Sequence, residues 1–184
     1  MTESLDNQFL QIRNSRKQED SRAKHIQSIR HVLDLSWDAI LAQHRSGSSG
    51  ETIVLGLSAR ADSLIRHLYL EVCGHRKDSY TILALGGYGR GHLNPRSDID
   101  LLFLSDKVDP DDRVTHHVLH TLWDLGFDIG HSTRTLADCI AAGREDEVQL
   151  LHDPVTSSED RSTRPRTSNQ SSISFFNVVS VKGL

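Results

Sequence analysis

The sequence predicts a mixed fold, α+β or α/β, with a small sheet flanked by helices. Three observations lead there. Apolar residues recur at spacings of three and four between Arg22 and Val72, two short apolar runs follow (TILALGG and IDLLFL), and a helix–strand–helix pattern begins near Val114. With 184 residues and 36% hydrophobic content, the chain suffices for one modest core but not for two full-sized domains.

The first 20 residues, MTESLDNQFLQIRNSRKQED, are polar and mixed in charge, so a mobile lead-in or the frayed start of a helix is expected, without chemistry. From Arg22, the positions Ile26, Ile29, Leu33, Trp37, Ile40 and Leu41 form one face of an amphipathic helix that stops at RSGSSG. A second helix runs from about Glu51 to Val72, with Leu57, Ala61, Leu64, Ile65 and Leu68 inward and Gly74 as its cap. TILALGG reads as a strand ending in two glycines, and IDLLFL as the next strand. Val114 to Leu125 is a helix started by the signal at Pro110 to Asp112. FDIGHSTRT, from Phe127 to Thr135, gives a third strand and LADCIAAGREDEVQLL a closing helix.

Beyond His152 the chain becomes rich in Ser and Thr, with no apolar face to bury, so residues 153–184 are expected to be a disordered tail. The cluster ISFFNVVSV within it can be a strand added to the sheet, a binding peptide or sequence without a fold of its own; the last is favoured. The domain itself is expected to span 21–152.

Composition excludes several classes of function. A net charge of −4 and a pI near 6.2 provide no basic footprint for coating nucleic acid. Cys73 and Cys139 lack any metal-ligand spacing, which argues against a disulfide scaffold or structural zinc and favours the reducing cytoplasm. No window approaches the roughly 18 apolar residues of a membrane span, so a soluble protein without a membrane partner is expected.

The chemistry concentrates in LGGYGRGHLNPRSDIDLLFL, Leu85 to Leu104. In a strand, side chains two apart share a face, so Asp98 and Asp100 project together while Ile99, Leu101 and Phe103 enter the core. Two adjacent carboxylates repel unless a cation lies between them, and hard oxygen ligands suit Mg²⁺. The glycines from Gly86 let backbone N–H groups approach a phosphate, and Arg90 and Arg96 add positive charge. Asp128, between Phe127 and Ile129, is expected to point inward. If its strand lies beside that of Asp98, three carboxylates converge on a two-metal centre for in-line displacement at a nucleotide's α-phosphate.

These residues carry a resemblance. A strand ending in Gly-Gly, a loop, Asp-x-Asp and then an apolar–acid–apolar strand is similar to the nucleotidyltransferase superfamily with the palm of DNA polymerase β type. Within it, GGYGRGHLNPRSDIDLLFL with LWDLGFDIGHSTRTLADC resembles the amino-terminal domain of the bacterial protein-PII uridylyltransferases, over about Arg22 to Asp146. The resemblance implies an α+β fold with a small mixed sheet and two leading helices. It also implies transfer of UMP from UTP to a tyrosine of the PII nitrogen-signalling protein, with Mg²⁺. Asp98 and Asp100 match the metal-binding catalytic pair, Gly86 and Gly87 the phosphate-loop glycines, and Ser97 the serine before the pair. Asp128 lies where the third carboxylate belongs.

The chain departs from the family in two places. His92 stands where the family usually has Glu, and the tail replaces the sequence expected after REDE, which suggests truncation or a frameshift. The His152-Asp153 dipeptide is read as chance. The alternative to a uridylyltransferase is therefore an inactive remnant that binds a nucleotide or a partner, or a transferase with another nucleotide or acceptor.

Other residues have weaker claims. His116 and His120 share a helix face but lack the Glu of a zinc protease, so surface histidines are expected. His131 is read as structural before substrate-binding, and Arg134 equally as a triphosphate contact or the partner of an acidic neighbour. Trp37 and Trp123 are expected in the core.

Overall fold

In a computed structural model of the chain, the described residues are 4–16, 21–73, 80–142 and 177–179. Three helices lead: α1 (Leu5–Ser15), α2 (Arg22–Arg45) and α3 (Gly50–Cys73). There follow β1 (Tyr80–Ala84), the single turn α4 (Gly86–Gly89), β2 (Ile99–Ser105), α5 (Arg113–Leu125) and β3 (Ile129–Arg134). Residues 136–142 form a last helical segment, and β4 (Asn177–Val179) completes the sheet. No described helix is long and apolar enough to cross a membrane.

The sheet order is β3-β2-β1-β4. β1 runs antiparallel to both β2 and β4, whereas β2 and β3 are parallel and joined through α5. The sheet is thus mixed and the fold α+β, as expected. Register assigns the faces. Ile82 pairs with Phe103 and Ala84 with Leu101, so these side chains and that of Ile99 lie on one face, all at 1% exposure or less, against the helices. The other face carries Asp100.

Helix boundaries follow local chemistry. Ser21 caps α2 by accepting from the Lys24 N–H, and Asp112 caps α5 by accepting from the Thr115 N–H at 2.6 Å. The last helical segment opens with a reciprocal pair: the Thr135 N–H donates to Asp138 Oδ2 and the Asp138 N–H to Thr135 Oγ1. Arg30 of α2 donates to the carbonyls of Asp124 and Leu125, tying α2 to the end of α5.

Three expectations need correction. Residues 5–15 are helical: Ser4 caps α1, and Leu5, Phe9 and Ile12 form its apolar stripe, with Phe9 only 2% exposed in the common core. A stripe of three residues in a polar segment is short, but α2 and α3 give it a surface to bury against. Trp123 is 45% exposed and meets His120 and His131 edge-on rather than entering the core; Trp37 does pack against it. Part of the tail's apolar cluster, Asn177–Val179, pairs with β1. The rest of the tail, the Gly74 cap, His152-Asp153 and the end of the closing helix lie outside the described residues.

Candidate active site

β1 ends against the start of β2, where the Leu85 N–H donates to the Asp100 carbonyl at 2.9 Å. The chain then turns immediately. Gly86 adopts φ +59°, a left-handed conformation open to glycine, and a Cβ there would lie 2.8 Å from Asp100 Oδ2. On the opposite side, a Cβ on Gly130 of β3 would overlap Asp100 Oδ1. Both flanks of the Asp100 carboxylate are therefore glycine backbone. The cradle exists because neither neighbour has a side chain.

Asp98 precedes β2 and is exposed, whereas Asp100 is half-buried. Partial burial first, and the negative charge of Asp98 second, push the Asp100 carboxyl above its ordinary value. No hydrogen bond to the Asp100 carboxylate is seen among the described residues. An acid that is desolvated, crowded by another acid and left without a donor is a favourable ligand for a hard cation. The two carboxylates fit Mg²⁺.

Asp128 lies just before β3 and is exposed, which corrects the expectation that it points inward. Its carbonyl accepts from the Ile99 N–H at 2.9 Å, extending the β2–β3 ladder by one step toward Asp98. Two residues on, Gly130 lies under Asp100, so strand alternation carries Asp128 to the same face as the pair. Among the described residues, however, the carboxylates do not form a trio with all ligand atoms within 4.8 Å of one another. Asp98 lies near enough for its charge to act on Asp100, and the Asp128 backbone is hydrogen-bonded to Ile99, the residue between them.

The glycine loop is anchored from α3. Tyr88 is buried and donates to Asp62 Oδ1 at 2.6 Å, and the buried N–H of Leu93 donates to Ser58 Oγ at 3.0 Å. Burial first, and the Asp62 charge second, raise the Tyr88 hydroxyl far above its ordinary value, so it remains a donor. The His92 N–H closes the loop on the Gly87 carbonyl at 2.9 Å. This is a backbone contact, so His92 in place of Glu leaves the loop's closure intact; its ring is exposed. Among the described residues, the Gly86 and Gly87 N–H groups that open α4 have no backbone acceptor outside the helix.

Ser97 is exposed and donates to the Asn94 carbonyl at 3.2 Å, and Arg90 is exposed at the end of α4. Both border the loop. Arg134 does not: it pairs with Leu104, five residues along β3 from Ile129, or roughly 17 Å at 3.3 Å per residue. His131 is also excluded, because its pairing with Leu101 turns it to the helix-covered face. His116 and His120 are surface residues stacked on one another.

Sequence reasoning missed Ser58, Asp62 and Arg60 of α3. The first two are four residues apart and hold the loop. Arg60 lies over the Phe127 ring at 5.8 Å and donates to Ser36 Oγ and the Leu33 carbonyl. Their signal was polar residues on the inward side of an otherwise apolar helix.

Residues 66–154 match the family described as Nucleotidyltransferase domain. The bifunctional uridylyltransferase/uridylyl-removing enzyme of Hydrogenovibrio crunogenus is 35% identical over 69% of this chain and 14% of its own length. Those of Rhodospirillum rubrum and Cereibacter sphaeroides are 42% and 51% identical over 46% and 35% of this chain, covering 9% and 7% of their lengths. The chain thus spans only a small fraction of the curated relatives it matches. No solved structure matches it.

Proposed function

We propose that the chain, whose residues 66–154 match the Nucleotidyltransferase domain family, is an enzyme that transfers UMP from UTP to a tyrosine of the PII nitrogen-signalling protein in the cytoplasm. The observation that carries this reading is the Asp98/Asp100 pair, with Asp100 held between Gly86 and Gly130.

Asp98 and Asp100 would hold Mg²⁺, which when bound neutralises the triphosphate and the charge that develops on it. The open N–H groups of Gly86 and Gly87, with Arg90 and Ser97 at the loop's edge, receive the phosphates and orient the α-phosphorus. The acceptor tyrosine oxygen forms a bond to that phosphorus as the α–β phosphoanhydride bond breaks, and pyrophosphate leaves with the bonding electron pair. Asp128, exposed at the rim, is the carboxylate available to take the phenolic proton.

Incubating the purified chain with Mg²⁺, labelled UTP and PII tests the reading. Labelled PII is expected with the wild type and none with Asp98→Asn. A folded chain that labels no PII overturns it. Among the described residues no third carboxylate closes within 4.8 Å on the Asp98/Asp100 pair, which favours one second reading: a module that binds nucleotide without turnover. A melting temperature raised by UTP and Mg²⁺ without transfer would select that reading.

A further inference from the structure

We propose that the chain holds a second metal site, for a divalent transition metal such as Zn²⁺, built from His25, His67 and Glu71. These are the only His, Cys, Asp or Glu residues among those described whose ligand atoms form a trio within 4.8 Å of one another. His25 and His67 are 5% and 4% exposed, and the Glu71 side chain is 2% exposed, so the group is enclosed by α1, α2, α3 and α5. Glu71 lies nine residues beyond Asp62 on α3, about 14 Å along the helix from the residue that holds the glycine loop. The proposal is independent of nucleotidyl transfer.

The hydrogen bonds of the cluster are incomplete in a way that points to a ligand. His25 Nε2 lies 3.1 Å from the Glu71 carboxylate and His117 Nε2 lies 3.0 Å from Glu71 Oε2. His67 Nε2, by contrast, is buried and has no hydrogen-bond partner, although it lies 3.6 Å from Glu71 Oε1. Phe9 stacks on the His67 ring at 4.9 Å and fixes its orientation. A buried imidazole nitrogen without a hydrogen-bond partner, aimed at a carboxylate it does not bond, is a position that a metal ion would complete.

Two imidazoles and one carboxylate are the donor set of sites that bind Zn²⁺ through three protein ligands, with a fourth position open. Mg²⁺ prefers oxygen and would go to Asp98 and Asp100 instead. His25 must then carry its proton on Nδ1. His117 donates to Glu71 and orients the carboxylate, as outer partners of metal ligands do. Arg16, 40% exposed at its side chain, contacts Glu71 Oε1 at 3.4 Å and can turn outward to solvent as the metal enters.

The test uses the full chain, stripped with chelator and titrated with Co²⁺ and then Zn²⁺. One equivalent of Co²⁺ is expected to give the intense visible absorption of a low-coordinate site, Zn²⁺ to displace it, and the melting temperature to rise. His67→Asn should weaken binding tenfold or more. If that variant does not fold, His117→Gln decides, because its ring is partly exposed and its loss should cost roughly 10- to 100-fold in affinity. An Asp98→Asn, Asp100→Asn double variant should keep the cobalt spectrum. A folded wild type with neither spectrum nor thermal shift overturns the proposal. So does affinity unchanged in both histidine variants, or a spectrum that disappears with the two aspartates.

Discussion

Replacing Gly130 with Ala tests the cradle around Asp100 at the cost of one methyl group. The new Cβ would overlap Asp100 Oδ1 and lie 3.5 Å from its Cγ, so the carboxylate must rotate away. Gly130 has no left-handed φ, so the backbone itself accepts alanine. Two stability terms oppose one another: overpacking costs about 1–3 kcal/mol, and replacing a strand glycine gains about 0.5–1 kcal/mol. The net loss is therefore about 0–2.5 kcal/mol, a shift of a few degrees in a domain of this size. Function should suffer far more, since displacing a reacting group by about 1 Å costs on the order of 100-fold. Thermal melting and UMP transfer, measured on the same preparation, separate the two effects. Wild-type transfer by Gly130→Ala would refute the idea that glycine backbone positions Asp100.

Asp100→Asn should abolish transfer yet raise the melting temperature of the metal-free protein at neutral pH. The folded pKa of Asp100 is raised, so its charged form destabilises the fold above that pKa; melting curves should converge below about pH 4, where the carboxyl is protonated in both states. Tyr88→Phe removes the donor to Asp62 and should cost about 1–3 kcal/mol, seen in denaturant melts together with faster amide exchange at 86–93. Phe9→Ala should destabilise by about 3–5 kcal/mol, because α1 belongs to the core; a loss under 1 kcal/mol would return residues 5–15 to the status of a lead-in.

Much of this fold was legible because its signals are local. The stripes of α2, α3 and α5 repeat over three or more turns, and the apolar runs of β1 and β2 are bounded by glycine and polar turns. Asp98 and Asp100 were legible for the same reason, since alternation along a strand sets both on one face. Features that depend on distant partners were hidden. Gly130 matters because Asp100 lies over it, which only the β2–β3 register reveals. Arg134 reads equally as a triphosphate contact or an acid's partner, and only that register places it at the far end of the strands. Glu71 and its histidines come from three helices separated in sequence by 46 residues, a distance over which no periodicity carries information. α1 escaped notice because its stripe becomes stable only against the helices that follow.

As proposed above, Asp98 and Asp100, beside the Gly86–Gly87 turn, bind a divalent cation together with a nucleoside triphosphate. Mn²⁺ titrated in the presence of UTP, and followed by water-proton relaxation, measures this directly. Tight binding that requires both ligands, and is lost in Asp98→Asn and Asp100→Asn while both variants still melt cooperatively, is the predicted result. Binding equally strong in those two variants would contradict it.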